Sequence, residues 1–131
     1  MCGSLPFMTQ EGSVRLLVKI TAGAEDPERC AQAFTVAAAA VASGIEVSLW
    51  LTGESAWFAL PGRAEAFDLA GSAPLDALLA TILEAGAVTL CVQCAERRGI
   101  AAKDCLPGVR IKGATAFVEE AVTPSTQALV Y

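Results

Sequence analysis

The stretch VRLLVKITAGAEDPERCAQAFTVAAAAVASGIEVSLWL, residues 14–51, reads as strand, loop, helix and strand in turn. Val14 to Ile20 is a short apolar run containing Arg15 and Lys19, and it reads as a first strand. Thr21 to Asp26 is a loop that ends on a helix start. Asp26 stands at the cap, Pro27 at the first helical position, where its missing N–H costs nothing, and Glu28 in the first turn, where an acid suits the dipole. Cys30, Phe34, Ala37, Ala38 and Val41 recur at helical spacing and mark one inward face. The helix is predicted to run to about Ser43 and to stop at Gly44, with Ile45 to Leu51 as the second strand.

The same alternation continues outward. Thr52 to Ser55 is an exit loop leading to a helical turn with Trp57 and Phe58, broken at Pro61-Gly62. Arg63 to Ala73 reads as irregular. Leu75, Leu78, Leu79, Ile82 and Leu83 form an amphipathic stripe ended by Gly86. Ala87 to Val92 is a third strand, Cys94 to Arg98 a helical turn closed by Gly99, and Val109 to Lys112 a fourth strand. Ala114 to Val122 is a helix and Ala128 to Val130 a last strand. Strands alternating with helices predict a single three-layer α/β/α domain over residues 13–131, with a mostly parallel, flavodoxin-like sheet of five strands. Residues 1–12 are unpatterned and read as a flexible arm.

Hydrophobic residues make up 54 % of the 131, and mean hydropathy is +0.52. That excludes disorder as the main description and leaves more apolar surface than one small core needs, so a homo-oligomer is expected. Net charge is −5 with no basic stripe, which argues against nucleic acid. No apolar run approaches the roughly 18 residues of a membrane span, and Met1 to Gln10 carries no signal-peptide pattern. The expected compartment is the cytoplasm, where five cysteines stay mostly thiols. The chain contains 0 histidines, so Ser-His-Asp triads, Cys-His pairs and His-ligated zinc drop out. Cysteine and carboxylates remain as the chemical actors.

Leu90-Cys-Val-Gln-Cys-Ala-Glu-Arg-Arg-Gly-Ile100 is the segment where they meet. Cys91 ends a strand at the sheet edge where α/β ligands bind, and Cys94 enters a helix. Unpaired N–H groups at a helix start favour a thiolate, and Arg97 and Arg98 add positive potential one turn on. A cysteine in an apolar strand is also often plain core, and Cys30 and Cys105 read first that way, with Cys2 incidental. Glu54 stands on the exit loop of the second strand, as a proton shuttle or as an acid suited to a helix start. Trp57 reads as a pocket wall or as an interface anchor. The Thr21–Asp26 loop lacks both G-x-G-x-x-G and a Walker lysine, so no nucleotide is expected. One C-x-x-C without a second close pair argues against zinc, and no metal or other cofactor is expected.

Val14 to Arg29, Leu51-Thr52-Gly53, and Cys91 through Arg98-Gly99-Ile100 resemble, in order and spacing, the DsrE/DsrF/TusD-like sulfur-relay family, in its C-x-x-C-containing branch. The resemblance continues through Pro107-Gly108 to the last strand. It implies a DsrE-like fold, a trimer or hexamer, and a persulfide held on Cys91 in exchange with a donor or acceptor protein. The chain then reads as a cysteine-based sulfur carrier, a possible sulfurtransferase. Two other readings stand beside it: a thiol–disulfide protein using Cys91 and Cys94, and a non-catalytic oligomeric module holding a small ligand.

Overall fold

In the computed structural model, which describes residues 14–131, five strands form one sheet. They are β1 (Arg15–Ile20), β2 (Glu46–Leu51), β3 (Ala87–Cys91), β4 (Val109–Lys112) and β5 (Thr126–Val130), in the order β4-β3-β2-β1-β5. Every pairing is parallel, so the five-stranded α/β fold expected from the sequence is the one observed. The strand order departs from the flavodoxin order 2-1-3-4-5, because every step from β1 to β4 runs the same way across the sheet. The arm expected over residues 1–12, and Cys2 within it, lie outside the described residues.

Five α-helices connect the strands: α1 (Pro27–Ala42), α2 (Arg63–Ala66), α3 (Leu75–Ala85), α4 (Val92–Arg97) and α5 (Ala114–Ala121), with 3-10 segments at Gly53–Ala59 and Ala102–Asp104. From β1 to β4 the chain steps across the sheet in one direction. Right-handed crossovers therefore stack α1, α3 and α4 on one face. The passage from β4 to β5 runs back across the sheet, which brings α5 to the other face.

Strand alternation divides the side chains accordingly. Val18, Ile20, Val47, Leu49, Leu51, Val88 and Leu90 join the main core with Phe34, Leu75, Leu79 and Ile82 from the helices. Alanines at 33, 37 and 40 let α1 approach the sheet closely. Phe58 packs edge-on against both Phe34 and Phe67, at 5.9 and 5.8 Å between ring centres. The opposite face buries Leu17 and Trp50 but is thinly covered. No residue of α5 is buried, and Val118, Val122, Leu129 and Val130 are exposed.

The structure differs from the sequence reading in four local ways. Arg63–Ala66 is one helical turn inside the segment read as irregular, entered through left-handed Gly62. Ala102–Asp104 adds a turn of 3-10 helix that carries no apolar signature. β5 starts at Thr126 because main-chain pairing with β1 reaches past the apolar residues. The last pairing of β3 joins Cys91 to Lys112, and α4 begins directly afterwards at Val92. Among the described residues, no helix is long and apolar enough to cross a membrane.

Candidate functional site

β3 exits toward the α1 side and β4 toward the α5 side, so a crevice opens beyond their carboxyl ends. Cys91 stands on its wall as the cap residue of α4, in extended backbone at φ −63° and ψ 126°. Its thiol is half-buried, and burial alone pushes it up. The N–H and thiol of Cys94, the N–H of Gln93 and the Lys19 ammonium outweigh that, leaving the Cys91 thiol below its ordinary value.

Cys94 is buried in the first turn of α4, and its sulfur accepts the Gly53 N–H at 3.2 Å. Gly53 is at φ +55°, and a Cβ there would lie 2.5 Å from the Thr21 carbonyl oxygen. Only glycine lets the loops after β1 and β2 close on each other this way. Thr52 locks the same loop, donating its hydroxyl to the Ile20 carbonyl at 2.7 Å and its N–H to Ser55 Oγ at 2.9 Å.

A cavity of about 560 Å³ spreads from these sulfurs. Lys19 and Thr21 of the β1 end, Trp50 and Thr52 of the β2 end, and Gln93 and Arg97 of α4 line it beside both cysteines. Ala114, Phe117 and Val118 of α5 form the facing wall. Phe117 meets Trp50 edge-on at 5.3 Å, and Lys19 Nζ lies 5.1 Å from the Phe117 ring centre. The far end of α5 is pinned by Glu120, which accepts from Ser48 Oγ at 2.6 Å and Trp50 Nε1 at 3.2 Å and pairs with Arg110 at 3.3 Å. Arg110 in turn donates to Thr89 Oγ1. Burial pushes the Glu120 carboxyl up, but Ser48, Trp50 and Arg110 together hold it below the usual carboxylate range.

Of the residues singled out in the sequence, Cys91, Cys94 and Arg97 line the cavity. Glu54, Arg98 and Trp57 stand outside it. Arg98 forks onto the Glu54 carboxylate at 2.8 Å and donates to the Cys94 carbonyl at 3.2 Å, so it braces α4 against the loop after β2. That hydrogen bond chiefly lowers the Glu54 carboxyl. Trp57 lies beneath the Arg63 guanidinium, 4.4 Å from its ring centre. Sequence reasoning missed Lys19, Trp50 and Phe117 as cavity residues. Period-two alternation gives the one available signal, since it sets Lys19 and Trp50 opposite the core-facing residues of their strands. A second cavity of about 510 Å³ lies between α1 and residues 69–73. It has no thiol on its walls.

The remaining thiols differ in kind. Burial, with Glu25 and Asp26 nearby, pushes Cys30 up to about 12, and burial with Asp104 raises Cys105. With iodoacetamide at neutral pH, Cys91 is expected to be labelled first, Cys105 later, and Cys30 only on unfolding. Peptide mapping over time checks the order, and earlier labelling of Cys30 or Cys105 would contradict it.

A model of the DsrE/DsrF-like family matches residues 15–122. Among solved structures, the YchN protein from E. coli superposes with a TM-score of 0.74 at 18 % identity, covering 92 % of this chain and all 100 % of its own. MTH1491 from Methanobacterium thermoautotrophicum, titled a protein of unknown function, gives 0.70 at 10 % identity, covering 91 % of this chain and 100 % of its own. BT1422 from Bacteroides thetaiotaomicron gives 0.55 at 17 % identity, covering 89 % and 94 %. At these identities the likeness is one of fold. No curated protein matches the chain.

Proposed function

The chain belongs to the DsrE/DsrF-like family, and from that premise we propose that it is a sulfur carrier holding a persulfide on Cys91. The family points to sulfur relay in general. The observation that carries the finer reading is a half-buried cysteine, favoured as thiolate against its burial and open to a walled cavity. In the proposed cycle the Cys91 thiolate attacks the outer sulfur of a donor persulfide. A sulfur–sulfur bond forms at Cys91, the donor's own sulfur–sulfur bond breaks, and the donor leaves as a thiolate that takes a proton. An acceptor thiolate later removes the outer sulfur in the same way and restores Cys91.

One contact favours a second reading. Cys94 lies in the first turn of the helix that Cys91 caps and its thiol favours the Cys91 thiolate, so Cys94 can attack the inner sulfur of the persulfide, closing a disulfide and expelling sulfide. A dithiol reductant would then reset the pair. The exposed Val118, Val122, Leu129 and Val130 on α5 and β5 support a homo-oligomer, trimeric or hexameric in this reading. Four unpaired thiols among the described residues suit a reducing cytoplasm.

The test is incubation with a cysteine desulfurase and cysteine, followed by mass spectrometry of the intact chain. Gain of one sulfur, mapped to the Cys91 peptide and removed by dithiothreitol, is the expected result. No gain, or sulfur carried on another cysteine, would end the proposal.

A further inference from the structure

The chain carries a net charge of −5, yet the cavity at Cys91 is lined by two cations, Lys19 and Arg97, and by no carboxylate. Among the described residues neither cation forms an ion pair. Lys19 is half-buried, with its ammonium over the Phe117 ring in the cavity it shares with Cys91, whose thiolate its charge favours. One thiolate leaves one positive charge of the pair unanswered. The hydroxyl hydrogens nearby are committed, Thr21 to the Tyr131 carbonyl and Thr52 to the Ile20 carbonyl. Recognition of a charged ligand therefore falls on the cations, with the exposed Gln93 amide as the remaining polar group of the lining. The facing wall of Trp50, Phe117 and Val118 is apolar and suits an aliphatic body. A volume of about 560 Å³ is far more than a single sulfur needs and lies within the range of small-molecule sites. A tripeptide-sized thiol is of a size to occupy that volume.

We propose that the sulfur exchanged at Cys91 travels on a low-molecular-weight thiol bearing carboxylates, seated with its anionic end on Lys19 and Arg97. The inference rests on the sulfur-carrier reading of Cys91 and specifies what that site receives. The Cys91 thiolate takes the outer sulfur of the anionic persulfide, the sulfur–sulfur bond of the small molecule breaks, and it leaves as its thiol after taking up a proton. Oxidation states balance, because one outer sulfur is exchanged between two thiols.

Binding and transfer are measured separately on the full chain. S-methylglutathione, which cannot react, is expected to slow iodoacetamide labelling of Cys91 by about tenfold at saturation, equivalent to about 1.4 kcal/mol. Its dimethyl ester is expected to give no protection. In Lys19→Met the ratio of protected to unprotected rates should fall most of the way to one, with Cys30 still unlabelled as evidence of an intact fold. Glutathione persulfide should then load one sulfur onto Cys91 and release glutathione. Equal protection by acid and ester, or protection without sulfur transfer from glutathione persulfide, would overturn the proposal. No protection while a desulfurase still loads Cys91 would also overturn it, leaving the carrier reading intact and assigning the cavity to a protein partner's tail. A Lys19→Met chain that exposes Cys30 is replaced by Arg97→Met, the other cation of the cavity, with the same loss of protection required.

Discussion

Replacing Cys91 with serine is expected to abolish sulfur loading, to below about one hundredth of the wild-type rate, because a hydroxyl at neutral pH supplies almost none of a thiolate's nucleophilicity. The fold should persist, since Cys91 is only half-buried and serine is nearly isosteric. Cys94→Ser separates the two readings of the site. Carriage needs only Cys91, so sulfur loading should survive, and the persulfide should last longer without an internal thiol to attack it. Dithiol cycling needs both sulfurs, so mild oxidation should link residues 91 and 94 in the wild type and leave Cys94→Ser without that link. Intact-mass spectrometry and non-reducing peptide maps read both outcomes. Wild-type loading in Cys91→Ser would remove Cys91 from the chemistry. Oxidised wild type with no 91–94 link, and Cys91 taken on to sulfinic acid, would remove Cys94 as its resolving partner.

Glu120→Ala is expected to destabilise the fold by about 2–3 kcal/mol, measured by urea unfolding. The carboxylate is the acceptor for Ser48 and Trp50, both buried, and the alanine variant leaves those donors without a partner. It also frees Arg110, which keeps only its bonds to Thr89. Glu120→Gln retains an oxygen for Ser48 and Trp50 and loses only the ion pair, so it should cost about 1 kcal/mol. The pH dependence has a definite sign. The folded carboxyl titrates below its unfolded value, so its charge contributes fully above the unfolded carboxylate pKa of about 4.3 and loses that contribution as pH falls through the lower folded value. The gap between wild type and Glu120→Gln should therefore close in acid. A gap unchanged between neutral and acid pH would show that the charge of Glu120 contributes nothing.

The order of elements was legible because strands 14–20 and 45–51 and the helix between them carry clear period and capping signals. Boundaries slipped where those signals faded. Thr126 and Gln127 are polar and joined β5 only through main-chain pairing with β1. Val92 looked like strand and became the first residue of α4, so Cys91, the last residue of β3, is also the cap of that helix. The two cysteines and Arg97 were legible at the site because they share one short segment. Lys19, Trp50 and Phe117 were not. The β1–β2 register sets Lys19 beside Trp50, and Phe117 reaches them only because the β4-to-β5 crossover lays α5 back over the sheet; local spacing carries no information about where a crossover lands. Glu54 and Arg98 were legible as residues near the sheet edge, while their mutual pairing away from the cavity depends on the turn of α4.

β1 lies between β2 and β5, so it has a neighbour made early and a neighbour made last. On the ribosome, β2 emerges soon after β1, but the strand that closes the other edge follows only after β3, β4 and α5. At roughly 5–20 residues per second, that wait lasts on the order of ten seconds. Throughout it, a strand as apolar as Leu16-Leu17-Val18 offers a row of free N–H and C=O groups to any other chain nearby. Translation that stalls before Thr126 would hold the chain in that state, folded around most of its core but open along one strand. A nascent polypeptide of this kind is a natural client for a chaperone, and crowded polysomes are where its copies would first pair with one another instead of with themselves.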